Sequence, residues 1–121
     1  MCLYNDYDKA VKFVEKQKKL GKKYIWAWKV VNANNYSPLF IHQWKVGENK
    51  SNSRYIGLSK QKNIHHGFHV YLCRDQARKW INEWEKIIKV KCYIKDLIGI
   101  SILDKEAVFS KVVVKSLKHQ H

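Results

Sequence analysis

The sequence predicts an α+β domain: a mostly antiparallel, twisted sheet of about five or six strands with two helices packed on it. Three observations carry this. Two segments repeat apolar residues at helical spacing, the runs between them are rich in Trp, Tyr and Val, and the early turns are short and polar, as hairpins require. A chain of 121 residues, 45% of them hydrophobic, suits one domain with a real core. That domain spans 1–121: an N-terminal helix at 6–20, strands within 24–72, a second helix at 74–86 and C-terminal strands within 87–117.

The first helix follows from Tyr7, Ala10, Val11 and Val14, with Asn5 or Asp6 as its cap and Gly21 as its stop. Its other face carries Lys9, Lys12, Lys16, Lys18 and Lys19, continuing into Lys22 and Lys23. This is a solvated face with lysines at the negative helix end, or an anion-contacting one. Residues 24–31 read as a central strand, because both period-two faces (Tyr24, Trp26, Trp28, Val30 and Ile25, Ala27, Lys29, Val31) are largely apolar. A loop ending at Pro38 precedes a strand at 39–46, a polar turn at 48–53 and a short strand at 54–58. Residues 59–66 form a basic loop that feeds a strand at 68–72.

Ala77, Trp80, Ile81 and Trp84 then form one apolar stripe, which puts Trp80 and Trp84 in the core. Cys73 and Gln76 stand at capping-box positions. Residues 87–95 alternate strictly, with Ile88, Val90, Cys92 and Ile94 inward and Lys89, Lys91, Tyr93 and Lys95 outward, a basic strip on one strand face. A short strand or extended loop at 96–103, an acidic turn around Asp104 and Glu106 and a last strand at 108–114 complete the chain. Several strands end at edges, which invites pairing into a homo-oligomer.

The charge narrows function. The formal net charge of +14 exceeds the magnitude of ~2–8 that solubility asks of a small domain, so an anionic partner is expected. Its 21 lysines outnumber 3 arginines, which disfavours bidentate, sequence-specific reading of DNA. No apolar run is long enough to span a bilayer, and the first residues lack the pattern of a signal peptide. A soluble, cytoplasmic protein with no membrane partner is therefore expected. Three cysteines without a close pair argue against a disulfide framework or a thiolate zinc site.

No phosphate-binding glycine loop, dinucleotide fingerprint or metalloprotease motif occurs, and no cofactor is implied. The acids sit mostly in caps and turns, which leaves no carboxylate pair for hydrolysis. His65, His66 and His69 form the one dense histidine group. Three roles compete for it: a metal site, ribonuclease-like acid–base chemistry with Lys62, or hydrogen bonding in a pocket or turn. The absence of nearby Cys, Asp or Glu favours the last, so neither a catalytic nor a metal site is assigned. Aromatic residues interleaved with cations are more suggestive, because a base stacks on a ring while neighbouring cations hold its phosphates.

The segments Lys29-Val30-Val31 and Ile64-His65-His66-Gly67-Phe68-His69-Val70-Tyr71-Leu72, Asp75 with Ala77, and Val90-Lys91-Cys92-Tyr93-Ile94 carry a resemblance. Together with the Met-Cys-Leu start, they resemble small single-domain proteins of tailed phages and related mobile elements that bear a Gly-Phe-His segment. The resemblance implies residence in the host cell's cytoplasm. It also implies a sponge-type anti-defence role, in which an oligomer traps the nucleotide signal of a bacterial immune system, but it assigns no binding residue position by position.

The leading expectation is thus a non-enzymatic binder that sequesters an anionic nucleotide-like ligand, of the cyclic oligonucleotide or cyclic ADP-ribose type. Phe68 or Trp28 would be the stacking platform, and Arg54, Lys60, Lys62, His66 and His69 would face the phosphates. The alternatives are a sequence-neutral nucleic-acid binder using Lys89, Lys91 and Lys95, and an inhibitor docking on an acidic host protein. A pocket requires the cations to converge; a nucleic-acid surface requires them to form an extended stripe.

Overall fold

The protein is described by a computed structural model for residues 3–35, 42–51, 57–79, 81–103 and 105–120. It is an α+β fold: a seven-stranded antiparallel sheet, a small two-stranded sheet and two helices. In chain order the elements are β1 (Leu3–Tyr4), α1 (Tyr7–Lys19), β2 (Tyr24–Asn32), β3 (Gly47–Lys50), β4 (Asn63–Ile64), β5 (Phe68–Tyr71), α2 (Arg74–Lys79), β6 (Glu85–Tyr93), β7 (Leu97–Ile100), β8 (Glu106–Phe109) and β9 (Lys111–Val114). The large sheet runs β3-β9-β6-β2-β5-β8-β7, and β1 pairs with β4.

This order bends the sheet. β8 and β9 are separated in sequence by Ser110 alone, yet β8 pairs with β5 and β9 pairs with β6, with β2 between those two. In a flat sheet four strand spacings, roughly 19 Å, would separate β8 from β9. Two backbone steps span only about 7 Å, so the sheet curls until β8 and β9 close a ring with β6, β2 and β5. Ala27, Val31, Phe68, Val70, Ile88, Val90, Phe109, Val112 and Val114 fill its interior as one cluster, with Trp44 inserted and the Ala10 face of α1 against it.

Outside the ring lie two smaller cores. Leu3, Ile64, Ile98 and Val108 join β1–β4 to the β7–β8 edge. Asn5 clasps that edge: its side-chain amide donates to the Ser59 and Gln61 carbonyls at 2.8 and 3.0 Å, and its oxygen accepts from Ile100 N–H at 3.2 Å. Glycine is required opposite, since a Cβ on Gly99 would meet Asn5 Oδ1 at 2.3 Å. The other core joins Val30, Ala77 and Ile87, with Trp28, Tyr71 and Ile81 packed against them, so α2 covers one end of the outer face of β2 and β6.

α1 starts as expected, with the Asp6 carboxylate accepting from Lys9 N–H at 3.1 Å. It stops where Gly21 (φ +69°) lets Lys22 N–H reach the Gln17 carbonyl at 3.0 Å. Other expectations need correction. The second helix ends at Lys79, not 86, because residues from Glu85 onward are already paired with β2, and the ladder overrides helical spacing. Trp84 is consequently 66% exposed rather than core, and Trp80 lies outside the described residues.

The polar stretch taken as a turn at 48–53 supplies β3, an edge strand whose composition suits its outer face. Of the strand expected at 39–46, residues 39–41 lie outside the described residues, and 42–46 are not an extended strand but insert Trp44 into the ring. Of that expected at 54–58, residues 54–56 lie outside and Gly57–Leu58 are not strand. The basic loop contains β4, and the last strand is two, broken at Ser110 where the chain changes partners. No helix among the described residues is long and apolar enough to cross a membrane.

Candidate nucleic-acid interface

β2 and β6 pair antiparallel along their whole length, and the register decides what faces outward. Tyr24 lies opposite Tyr93, Trp26 opposite Lys91, and Trp28 opposite Lys89. Directly opposed residues share a face, and Ile25, Ala27, Val90 and Cys92 of the alternate rows face the ring interior. The outer face thus carries two interdigitated rows, one of rings and one of lysines. α2 covers it only as far as Val30, Ile87 and the edge of Trp28, so Tyr24 and Trp26 remain 40% and 37% exposed.

The rings and cations touch. Tyr24 meets Trp26 and Tyr93 edge to face, with centroids 6.0 Å apart in each case. Lys89 Nζ stands 4.8 Å from the Trp26 ring centroid, and Lys91 Nζ stands 4.0 Å from Tyr24 and 5.3 Å from Tyr93. Lys95 reaches to 6.0 Å of Tyr93. No carboxylate shares these three rows of β2 and β6. Farther along the sheet Glu48 lies 3.6 Å from Lys111. At the Tyr24 end the face deepens into an open groove of about 800 Å3, where Lys22 and Lys23 from the turn after α1 join Lys91, Trp26 and Tyr93, and Gln17 lines it from α1.

The residues expected to form a ligand pocket are distributed differently. Trp28 lies on the outer face, half-buried beside the α2 core. Phe68 is inside the ring, its centroid 4.7 Å from both His42 and Trp44, and offers no free face for stacking. His69 is 8% exposed, and burial, then the Lys29 ammonium, push its pKa down to about 4; its imidazole is neutral at pH 7 and does not attract phosphate. Lys60, Lys62 and His66 are exposed beside β1, β4 and α1: Lys60 Nζ is 5.5 Å from the Tyr7 ring, and the Lys62 carbonyl accepts from Asn5 N–H at 2.8 Å. Arg54 lies outside the described residues. These side chains belong to different surroundings and do not converge.

Lys29 also leaves the pool of binding cations. Its side chain enters the ring, donates to the His69 carbonyl at 2.7 Å and lies 5.9 Å from the Trp44 ring; burial pulls its pKa down to about 8, partly offset by Glu106. Among the described residues no group of three or more His, Cys, Asp and Glu side chains is arranged to hold a metal ion. The lysine strip was visible in the alternation of 87–95, whereas Tyr24, Gln17, Lys22 and Lys23 carried no local signal separating them from core or solvated helix. Comparison of the chain with protein-family models, with curated proteins and with solved structures finds no match.

Proposed function

We propose that the protein is a non-enzymatic, largely sequence-neutral binder of single-stranded nucleic acid, using the outer face of β2 and β6. The observation that carries this reading is the alternation of exposed rings with Lys89 and Lys91 on one uncovered sheet face, continued by Lys95 in the 3-10 turn at Ile94–Asp96. Stacking a base on an aromatic ring is worth roughly 1–3 kcal/mol, against about 0.5–1 kcal/mol for an exposed cation–π contact. An incoming base therefore displaces lysine from the ring, and the freed ammonium turns to the phosphate. Unpaired strands fit this exchange and duplexes do not, since duplex bases are already stacked and their faces are closed. The scarcity of arginine is consistent with backbone attraction without base-edge readout along the strip.

A second reading, sequestration of an anionic nucleotide-like molecule such as an immune signal, is favoured by the concavity of the groove around Tyr24, Trp26 and Tyr93. Its volume lies within the ~300–1,000 Å3 of small-ligand sites. Fluorescence anisotropy separates the two. The strand reading expects affinity to rise with length up to a site of about 4–16 nucleotides and to exceed that for a duplex of equal length. Binding of a single nucleotide or cyclic dinucleotide as tight as that of any strand would replace it with the second reading.

A further inference from the structure

We propose that the groove at the Tyr24 end of this face is a base-reading subsite for adenine, with Gln17 as the reading group; this rests on the nucleic-acid reading above. Gln17 follows Ala10 by two helical turns, so both lie on the face of α1 turned toward the sheet, and it is only 8% exposed. Its Oε1 is buried with no hydrogen-bond partner among the described residues. A buried acceptor left unbonded is destabilising, and a turn of the Gln17 side chain into the groove that it lines lets a ligand donor recover that loss on binding.

What surrounds the acceptor defines the donor. The groove that Gln17 lines is walled by the rings of Tyr24, Trp26 and Tyr93 and carries Lys22 and Lys91. A flat, stacking group with an N–H on its edge and a phosphate nearby is a nucleobase within a nucleotide. Adenine presents an exocyclic amino donor beside a ring-nitrogen acceptor, which a glutamine amide matches with Oε1 and Nε2 together. Guanine's Hoogsteen edge presents acceptors alone, and its Watson–Crick edge sets a second N–H donor beside the first that one amide leaves unpaired; thymine pairs through N3–H and a carbonyl but offers a smaller ring for stacking. Cytosine has the amino group but less stacking surface. The lysine strip leading away along β6 takes the phosphates of the following nucleotides, so one base is read and its neighbours are held without reading.

The test measures binding of labelled single strands of about twelve nucleotides: oligo-dA, oligo-dT and a strand of unsubstituted purine deoxynucleotides, which lack the amino group. The wild-type protein is expected to bind oligo-dA about tenfold more tightly than the purine strand. In Gln17→Met, close in shape but without the amide, that preference disappears, as affinity for oligo-dA falls about tenfold or more to that of the purine strand in the same variant. Equal wild-type affinities for the adenine and purine strands overturn the subsite while leaving strand binding intact. Failure to bind any strand overturns the underlying reading, and the subsite with it. The wild-type comparison decides by itself if the variant fails to fold. Displacement by AMP at an equal concentration of adenine, with no gain from strand length, supports the adenine subsite and assigns it to a free nucleotide.

Discussion

Two regions of this small protein are built from the same kinds of residue and behave in opposite ways. Inside the strand ring, Trp44, Phe68 and His42 stack together beside Lys29. Outside it, Tyr24, Trp26 and Tyr93 stack together beside Lys89 and Lys91. β2 contributes to both, Trp26 outward and Lys29 inward, within three positions of one strand. Burial makes the difference. The inner rings stabilise the fold, and the buried cationic groups, Lys29 inside the ring and His69 on the other face of β5, are driven toward their neutral forms. The outer rings keep free faces, and the outer lysines stand where an anion can reach them. An aromatic and basic composition therefore marks a binding surface only after the register shows which side each residue takes.

The contrast is broken most strongly by truncating one ring from each region. Trp44, 1% exposed, is expected to cost about 3–5 kcal/mol of stability as Trp44→Ala, whereas Trp26→Ala should cost no more than about 1 kcal/mol. Urea denaturation of both variants checks this, and equal losses would contradict the division.

Acid and alkali test the buried cationic groups. The unfolded His69 takes a proton near pH 6.5 and the folded one only near pH 4, so stability is fully present above pH 6.5. About 3 kcal/mol is lost as the pH falls through 4. Lys29 acts with the same sign at higher pH: the folded chain releases its proton near pH 8 and the unfolded chain near 10.5, so this group makes stability rise between those values. Denaturation midpoints of His69→Leu across pH 4–7 and of Lys29→Met across pH 8–10.5 should show flattened slopes. Slopes matching the wild type would place these side chains in water.

A smaller effect is expected outside. Trp26→Ala should weaken single-strand binding by roughly 1–3 kcal/mol, and Trp84→Ala, exposed but remote from the lysine rows in the β2–β6 register, by nothing measurable. An anisotropy titration of the two variants sharpens the boundary of the face, and equal losses would enlarge it to include the turn before β6.

Much of the fold is legible in the sequence because its signals are local. α1 has a period, a cap and a glycine stop, and β6 has strict alternation, which placed Lys89, Lys91 and Tyr93 outward before any partner strand was known. The rest depends on pairing. Residues 48–50 are a strand because β9 needs a partner, residue 85 leaves the helix because β2 reaches it, and Ser110 is a break because the sheet closes there. The same holds for the candidate site. That Tyr24 and Trp26 face lysines, and that α2 covers Val30 but not Trp26, are consequences of register and packing. The Gly-Phe-His segment drew attention as a dense polar and aromatic group, but it enters β5 with Phe68 inside the ring and His69 beneath its neighbours.

The central claim, that Lys89 and Lys91 of β6 with Lys95 just beyond it hold a phosphate backbone, is tested most directly by the salt dependence of single-strand binding. Each phosphate neutralised contributes about 0.7 to the slope of log affinity against log salt. Replacing Lys89, Lys91 and Lys95 together with alanine is therefore expected to lower that slope by about 2 while leaving the thermal unfolding midpoint near that of the wild type. An unchanged slope in a folded triple variant would contradict the claim.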